Sequence, residues 1–254
     1  MIQKPVVIYG MGEMGGVFAR GFLKLGIPVY SVTRQISVDE LVSTVPDPQL
    51  VLVAVGEAAL QSTLESFPQQ WKNAIGLLQN ELLPGDWAKH ELDPTVISVW
   101  FEKKKGMDAK VLISSPCYGQ SADLLVDALA AIDIPANKVA SASDMEYELV
   151  RKNVYILTTN ISGLETGGNV EQLWGQHKDV ALAVIDDVIE IQDYLTGSQQ
   201  DKDRLIKGFE EGVAGDPAHM CMGRSAPARL QRALGIADEA GLAVPKMRAI
   251  SEKL

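Results

Sequence analysis

Near its start the chain reads Pro5-Val6-Val7-Ile8-Tyr9 and then, without a break, Gly10-Met11-Gly12-Glu13-Met14-Gly15. A short apolar run rich in β-branched residues that stops at a glycine reads as a buried parallel strand ending in a tight turn. Val17, Phe18, Phe22 and Leu25 then recur at helical spacing, and Gly26 supplies the stop. Residues 28–33 repeat the strand pattern, completing a strand, turn, helix and strand of the length a right-handed parallel crossover requires. An opening of this kind directs the chain toward a parallel sheet covered by helices.

The alternation continues downstream. Residues 39–45 can make a short helix that Pro46-Asp47-Pro48 breaks, 50–55 is another fully buried strand, 58–67 reads as helix and 74–79 as strand. Residues 95–101 and 110–114 are predicted as two strands joined by a solvated turn at Lys103-Lys104-Lys105-Gly106, a hairpin that extends the sheet. An amphipathic helix over 121–132 and a short strand over 138–141 follow. Beyond Asp144 strand patterns vanish, and 145–162, 176–195, 201–211 and 226–239 all carry helical periodicity, the first capped by Ser143-Asp144. The expected fold class is therefore α/β, with an N-terminal Rossmann-type dinucleotide-binding domain over 1–143 followed by an all-helical C-terminal domain over 144–254.

Length and charge bound the function. The 254 residues leave room for two ordinary domains, and 46% hydrophobic against 22% charged residues describes a globular chain. A formal net charge of -10 argues against nucleic acid or acidic lipid as a general partner, so any anionic ligand must be held locally. The N-terminal apolar run is too short for a signal peptide, and no stretch reaches the roughly 20 apolar residues of a membrane span. Cys117 and Cys221 stand far apart without ligand spacing, so neither a disulfide framework nor a metal site is expected, and a cytoplasmic setting fits. His90, His177 and His219 are read as surface or structural residues, Met220 and Met222 as filling a core or lining an apolar cleft, and Cys221 as an unreactive thiol.

The chemistry lies in the glycine turn. Gly10 permits the tight turn, Gly12 lets backbone approach a pyrophosphate, and Gly15 allows helix and strand to pack closely. The helix N-terminus then presents free N–H groups and the positive end of its dipole to the phosphates. Gly10, Met11, Gly12, Glu13, Met14 and Gly15 are thus the expected cofactor contacts. Where an acid would accept from the ribose hydroxyl of NAD, this chain carries Thr33-Arg34, which selects NADP(H) through a planar cation for the extra phosphate.

Leu77-Leu78-Gln79-Asn80-Glu81-Leu82 resembles the Gln-Asn-Gly turn of the ketopantoate reductase family, and Glu148-Leu149-Val150-Arg151-Lys152-Asn153-Val154-Tyr155-Ile156-Leu157-Thr158-Thr159-Asn160 is similar to that family's helix bearing a catalytic lysine and substrate-binding asparagines. The C-terminal 224–245, ending Ala240-Gly241-Leu242-Ala243-Val244-Pro245, looks like its closing helix and turn. The resemblance covers nearly the whole chain. It implies an NADP-dependent reductase of a small 2-oxo acid or related carbonyl, with Lys152, Asn160 and Asn80 as catalytic candidates in a cleft between the domains. It also implies a helical part that holds substrate and serves as the contact of a homodimer.

The chain departs from the family's pattern at Glu81 in place of glycine, Gly56 in place of a lysine, Ile156 in place of an asparagine, and at 219–227, which lacks the expected acid. These departures imply a substrate that differs from ketopantoate in shape or hydrogen-bonding pattern. Gly12-Glu13-Met14-Gly15 also resembles the opening turn of pyrroline carboxylate-type imine reductases, which leaves imine reduction as an alternative. A non-catalytic NADP sensor is another.

Overall fold

The computed structural model describes residues 3–254; Met1 and Ile2, at the head of the N-terminal run, lie outside the described residues. The chain divides into two compact units, the first ending at Leu149 and the second beginning at Val150.

In the first unit the strands are β1 (Val6–Tyr9), β2 (Val29–Val32), β3 (Leu50–Val53), β4 (Ile75–Leu77), β5 (Thr95–Ile97), β6 (Phe101–Glu102), β7 (Lys110–Val111), β8 (Ser115–Tyr118) and β9 (Ala136–Lys138). Its helices are α1 (Glu13–Lys24), α2 (Val38–Thr44), α3 (Leu60–Glu65), α4 (Gly85–Ala88) and α5 (Ala122–Ala130). Seven strands form one sheet in the order β2-β1-β3-β4-β5-β8-β9. The first five run parallel, β8 is antiparallel to β5, and β9 is parallel to β8. Strand order reverses at β1, whose neighbours are β2 on one side and β3 on the other. The carboxyl ends of β1 and β3 therefore mark the crevice where open α/β sheets collect ligands.

Val6, Ile8, Leu50 and Leu52 present a fully buried row on one face, and Phe18 and Phe22 of α1 with Leu125 and Leu129 of α5 pack into the same core. Each such side chain removed from water contributes about 1.5–3 kcal/mol, which is why the predicted apolar rows become these elements.

The hairpin expectation is corrected. β5 stops at Ile97; after Ser98-Val99-Trp100 the chain resumes as β6, which pairs only with β7 in a separate two-stranded ladder. The stretch between is diverted toward Ser115-Pro116: Ser98 N–H donates to the Pro116 carbonyl at 2.9 Å and Trp100 N–H to Ser115 Oγ at 2.9 Å. The sheet is extended instead by β8, whose Pro116 lacks an N–H and so masks a strand in sequence.

The second unit is helical, as predicted. α6 (Ala142–Thr166) carries the chain into it, followed by α7 (Val170–Gln176), α8 (Lys178–Thr196), α9 (Lys202–Gly215), α10 (Ala226–Ala240) and α11 (Pro245–Ser251). The cap of α6 is Ser141 and not Ser143: Asp144 N–H donates to Ser141 Oγ at 3.1 Å and that hydroxyl donates to the Asp144 carboxylate at 2.7 Å. α8 buries Val184, Ile185, Val188 and Ile191, and its buried Asp187 accepts from Met247 N–H at 2.7 Å, satisfying the start of α11. Burial pushes the Asp187 carboxyl above the usual carboxylate range despite that bond. Among the described residues no helix is long and apolar enough to cross a membrane.

Candidate functional site

The turn after β1 is built as a cradle. Gly10 has φ +104°, and a Cβ there would stand 3.0 Å from the Ala54 carbonyl oxygen. Its N–H donates to Val32 O at 3.1 Å while Ala54 N–H donates to Tyr9 O at 2.8 Å, so the turn is fastened to both neighbouring strands. Gly12 is the extended N-cap of α1, where no side chain caps the helix and an added Cβ would meet nothing within 4 Å. At Gly15 a Cβ would fall 2.2 Å from Gly10 O and 3.1 Å from Ile8 Cγ2. Open backbone therefore faces outward at Gly12, flanked by the exposed Met11 and by Glu13, with the positive end of α1 behind it, an arrangement suited to a diphosphate. Beside the turn lies a pocket of about 600 Å³ lined by Met11, Gly12, Gly16, Arg20, Lys103 and Ile134 among others.

At the end of β2 the chain turns through Thr33-Arg34-Gln35-Ile36, closed by Ile36 N–H to Thr33 O at 3.2 Å and Gln35 N–H to Thr33 Oγ1 at 3.3 Å. Arg34 is exposed at the tip, and among the described residues no carboxylate pairs with it.

After β4 the segment Gln79-Asn80-Glu81 is held from within. Gln79 is buried; its Nε2 donates to the Val53 and Val55 carbonyls at 2.8 and 3.3 Å, and its Oε1 accepts from Leu78 N–H at 3.2 Å. This clamps the carboxyl ends of β3 and β4 together beside the switch point. Asn80 is half-buried, and its Nδ2 donates to Glu57 Oε1 at 2.9 Å. Glu81 adopts φ +60°, the left-handed conformation that favours glycine. The turn thus keeps a glycine-like backbone with a non-glycine residue, at a cost of about 1–2 kcal/mol.

In the second unit Lys152 is half-buried on α6, whereas Asn160 is buried and its Oδ1 accepts from Arg229 Nη1 of α10 at 2.9 Å. Asn160 Nδ2 contacts Thr159 Oγ1 at 3.4 Å. The helix is continuous across both positions, so the two lie about 12 Å apart along the axis and about 80° apart around it. The structure thus joins Asn160 to a buried cation that sequence reasoning missed. Nothing in the local pattern of Ala228-Arg229-Leu230 separates Arg229 from a surface arginine. Arg151 is equally unmarked in sequence: it is buried, donating through Nε to Gly208 O at 3.3 Å and through Nη2 to Glu211 at 2.9 Å.

Two expectations about side chains are corrected. Of the two places expected for Met220 and Met222, a core or an apolar cleft, the core is ruled out, since they are 60% and 49% exposed. Val170 N–H to His219 O and Cys221 N–H to Gly168 O hold this loop extended, so alternate residues point oppositely and Cys221 takes the inward place. Burial pushes its thiol up to about 11 and that of Cys117 to about 12, which leaves both as unreactive thiols. Lys103, expected in a solvated turn, is instead only 20% exposed and pairs with Glu13 at 3.1 Å. His90 contacts Gln61 Oε1 at 2.9 Å, and His219 lies 3.8 Å from Asp216 with its ring 6.2 Å from that of Tyr155. Among the described residues no three His, Cys, Asp or Glu side chains gather where a metal could sit.

No family model and no curated protein matches the chain in sequence. Solved structures match it along almost its whole length. D-mandelate dehydrogenase in complex with NADH is 14% identical with a TM-score of 0.67, over 98% of this chain and 97% of that one. The 2-dehydropantoate 2-reductase of Porphyromonas gingivalis W83 is 12% identical with a TM-score of 0.67, over 99% of both chains. A dimeric ketopantoate reductase from Staphylococcus aureus is 14% identical with a TM-score of 0.61, over 97% of this chain and 95% of that one. The chain has the fold of these proteins, a Rossmann-type unit followed by a helical one. At the level of fold, this matches the resemblance to ketopantoate reductases read from the sequence.

Proposed function

We propose that this protein is a nicotinamide-dinucleotide-dependent oxidoreductase that reduces the carbonyl of a small 2-oxo acid or related compound, with NADP(H) as cofactor. The observation that carries the reading is the cradle after β1, where Gly10 and Gly15 are sterically obligatory and Gly12 opens the start of α1 to a diphosphate. The fold shared with an NADH-bound dehydrogenase and with ketopantoate reductases supports it. The preference for NADP(H) is supported by Arg34, an unpaired guanidinium at the end of β2 where no acid stands.

When bound, the cofactor supplies hydride to the carbonyl carbon. The chain's own task is to hold the cofactor at the glycine turn and to meet the negative charge that grows on the carbonyl oxygen. Lys152 is the residue assigned to that oxygen, as cation and proton donor. Asn160 orients substrate indirectly in this reading, because its amide oxygen is taken by Arg229. Asn80, which donates to Glu57, is assigned to the nicotinamide or the substrate because it follows β4 at the carboxyl edge of the sheet. The helical unit as the contact of a homodimer is part of the same proposal, supported by the dimeric relative in fold. A cytoplasmic setting is supported by two buried free thiols.

The test is NADPH consumption over a panel of 2-oxo acids and cyclic imines. Steady oxidation with a 2-oxo acid establishes the reductase. Turnover of imines alone moves the assignment to an imine reductase. Tight NADPH binding with no turnover on any member favours a dinucleotide sensor, the second reading that the engaged side chains of Asn80 and Asn160 recommend.

A further inference from the structure

Glu13 is out of place in a turn that receives an anion. It is the first residue of α1, so its carboxylate occupies the same positive field that a diphosphate would use, and the chain as a whole carries a net charge of -10. The structure supplies a counter-charge from far away in sequence. β6 and β7 form a ladder of their own, with Phe101 opposite Val111 and Glu102 opposite Lys110. Phe101 is buried with its ring 6.2 Å from that of Phe18 on α1, which seats the hairpin on that helix. Two residues beyond Phe101 the chain delivers Lys103 to the lip of the glycine turn, where Nζ lies 3.1 Å from Glu13 Oε2 and 2.8 Å from Lys104 O. Lys103, Glu13, Met11 and Gly12 line one pocket. The neighbouring Lys104 differs: it is 65% exposed and pairs with Glu102 of its own hairpin.

We propose that Lys103 is the residue that makes this acid-bearing turn able to hold an anionic dinucleotide: its ammonium neutralises Glu13 where the diphosphate docks. The inference rests on the reading of the turn as a dinucleotide site and adds a determinant that lies outside the glycine motif. Removing Lys103 leaves Glu13 facing the phosphates without its ion-pair partner. Removing both restores a neutral lip. Lys103 therefore matters through Glu13, and the two substitutions are strongly non-additive.

The experiment is a calorimetric double-mutant cycle with NADPH on Lys103→Met, Glu13→Gln and the double variant, with Lys104→Met as control and melting temperatures taken throughout. Lys103→Met is expected to raise Kd at least about 10-fold, and the double variant to bind within about 3-fold of Glu13→Gln alone, so that the loss from Lys103→Met disappears when Glu13 is absent. Lys104→Met is expected to bind as the unmodified protein does. The loss from Lys103→Met should shrink as salt rises, because a partly exposed pair is screened.

Unchanged affinity in Lys103→Met, a loss equal to that of Lys104→Met, or the same gain from Glu13→Gln in both backgrounds would each overturn the proposal while leaving the dinucleotide reading intact. Should the unmodified protein bind neither NADPH nor NADH, both readings fall. If Lys103→Met unfolds the hairpin and lowers the melting temperature, Lys103→Arg and Glu13→Gln in that background decide. Recovery of affinity by both supports the charge role, and recovery by neither overturns it.

Discussion

Gly15 and Gly16 are neighbours in the first turns of α1, and replacing each by alanine separates two effects that are usually mixed. A helical glycine changed to alanine gains about 0.8–1 kcal/mol of helix propensity, and that gain is nearly the same at both sites. The contacts are opposite. At Gly16 a Cβ meets nothing within 4 Å, whereas at Gly15 it falls 2.2 Å from the Gly10 carbonyl oxygen and 3.1 Å from Ile8 Cγ2. An ordinary carbon–oxygen contact is about 3.3 Å, so the turn and helix must separate by about 1 Å. No rotamer can relieve a clash with backbone. Gly10 is itself tied down, since its N–H is bonded to Val32 O and the neighbouring Ala54 N–H to Tyr9 O.

Overpacking of this kind costs about 3 kcal/mol, the upper end of the usual range. Gly16→Ala should therefore melt at or above the unmodified protein, and the two variants should differ by roughly 6–12 °C. A displacement of about 1 Å at the cradle should also weaken NADPH binding in Gly15→Ala by about 100-fold, measured by calorimetry well below its melting temperature. If the two variants melted within about 2 °C of one another, the claim that Gly15 is required by close packing would be refuted.

Other outcomes follow from the remaining sites. Arg34→Ala should raise the Kd for NADPH by about 10–100-fold, as expected for a lost charge-assisted contact, and leave NADH unchanged; equal losses for both cofactors would contradict its phosphate role. Lys152→Ala should lower kcat at least about 100-fold on the substrate found in the screen while cofactor affinity holds, and near-native turnover would remove it from the mechanism. Asn160→Ala deprives buried Arg229 of a partner at 2.9 Å and should destabilise the protein by about 1.5–3 kcal/mol in urea denaturation; unchanged stability would argue against this role.

Glu165 accepts from Lys246 and Lys253 at 2.8 and 3.0 Å, and these bonds hold its carboxyl below the usual value. A depressed folded-state pKa gives stability that is present above the unfolded pKa and lost as pH falls through the folded one. Glu165→Gln should thus cost up to about 1 kcal/mol per pair at pH 7 and almost nothing near pH 2, as read from urea midpoints.

How much of the site is legible in sequence depends on how local each interaction is. The glycine turn is legible because all its constraints fall within about ten residues: a strand, a left-handed turn and a helix start are chemical demands of adjacent positions. The same holds for the helical second half, where apolar spacing alone sets the faces that α6, α8 and α10 bury. The left-handed residue at Glu81 is not legible, because glutamate gives no sign of positive φ; the clamp of Gln79 on Val53 and Val55 stabilises the turn from another strand.

An α/β unit followed by a helical one, and a glycine turn of the kind that suits a diphosphate, can be read from the chain alone. Periodicity and turn chemistry are local, and they survive without knowledge of partners. Tertiary structure alone decided which charges meet. Lys103 reads as one of three exposed lysines until Phe101 seats its hairpin on Phe18 and brings the ammonium to Glu13, 90 positions away. Arg229 carries no mark of its role in sequence, and only the packing of α10 brings it onto Asn160, 69 positions away. Electrostatic pairing acts through space while sequence patterns report only along the chain, so the acid-bearing turn and its neutralising lysine become one site only when the fold closes.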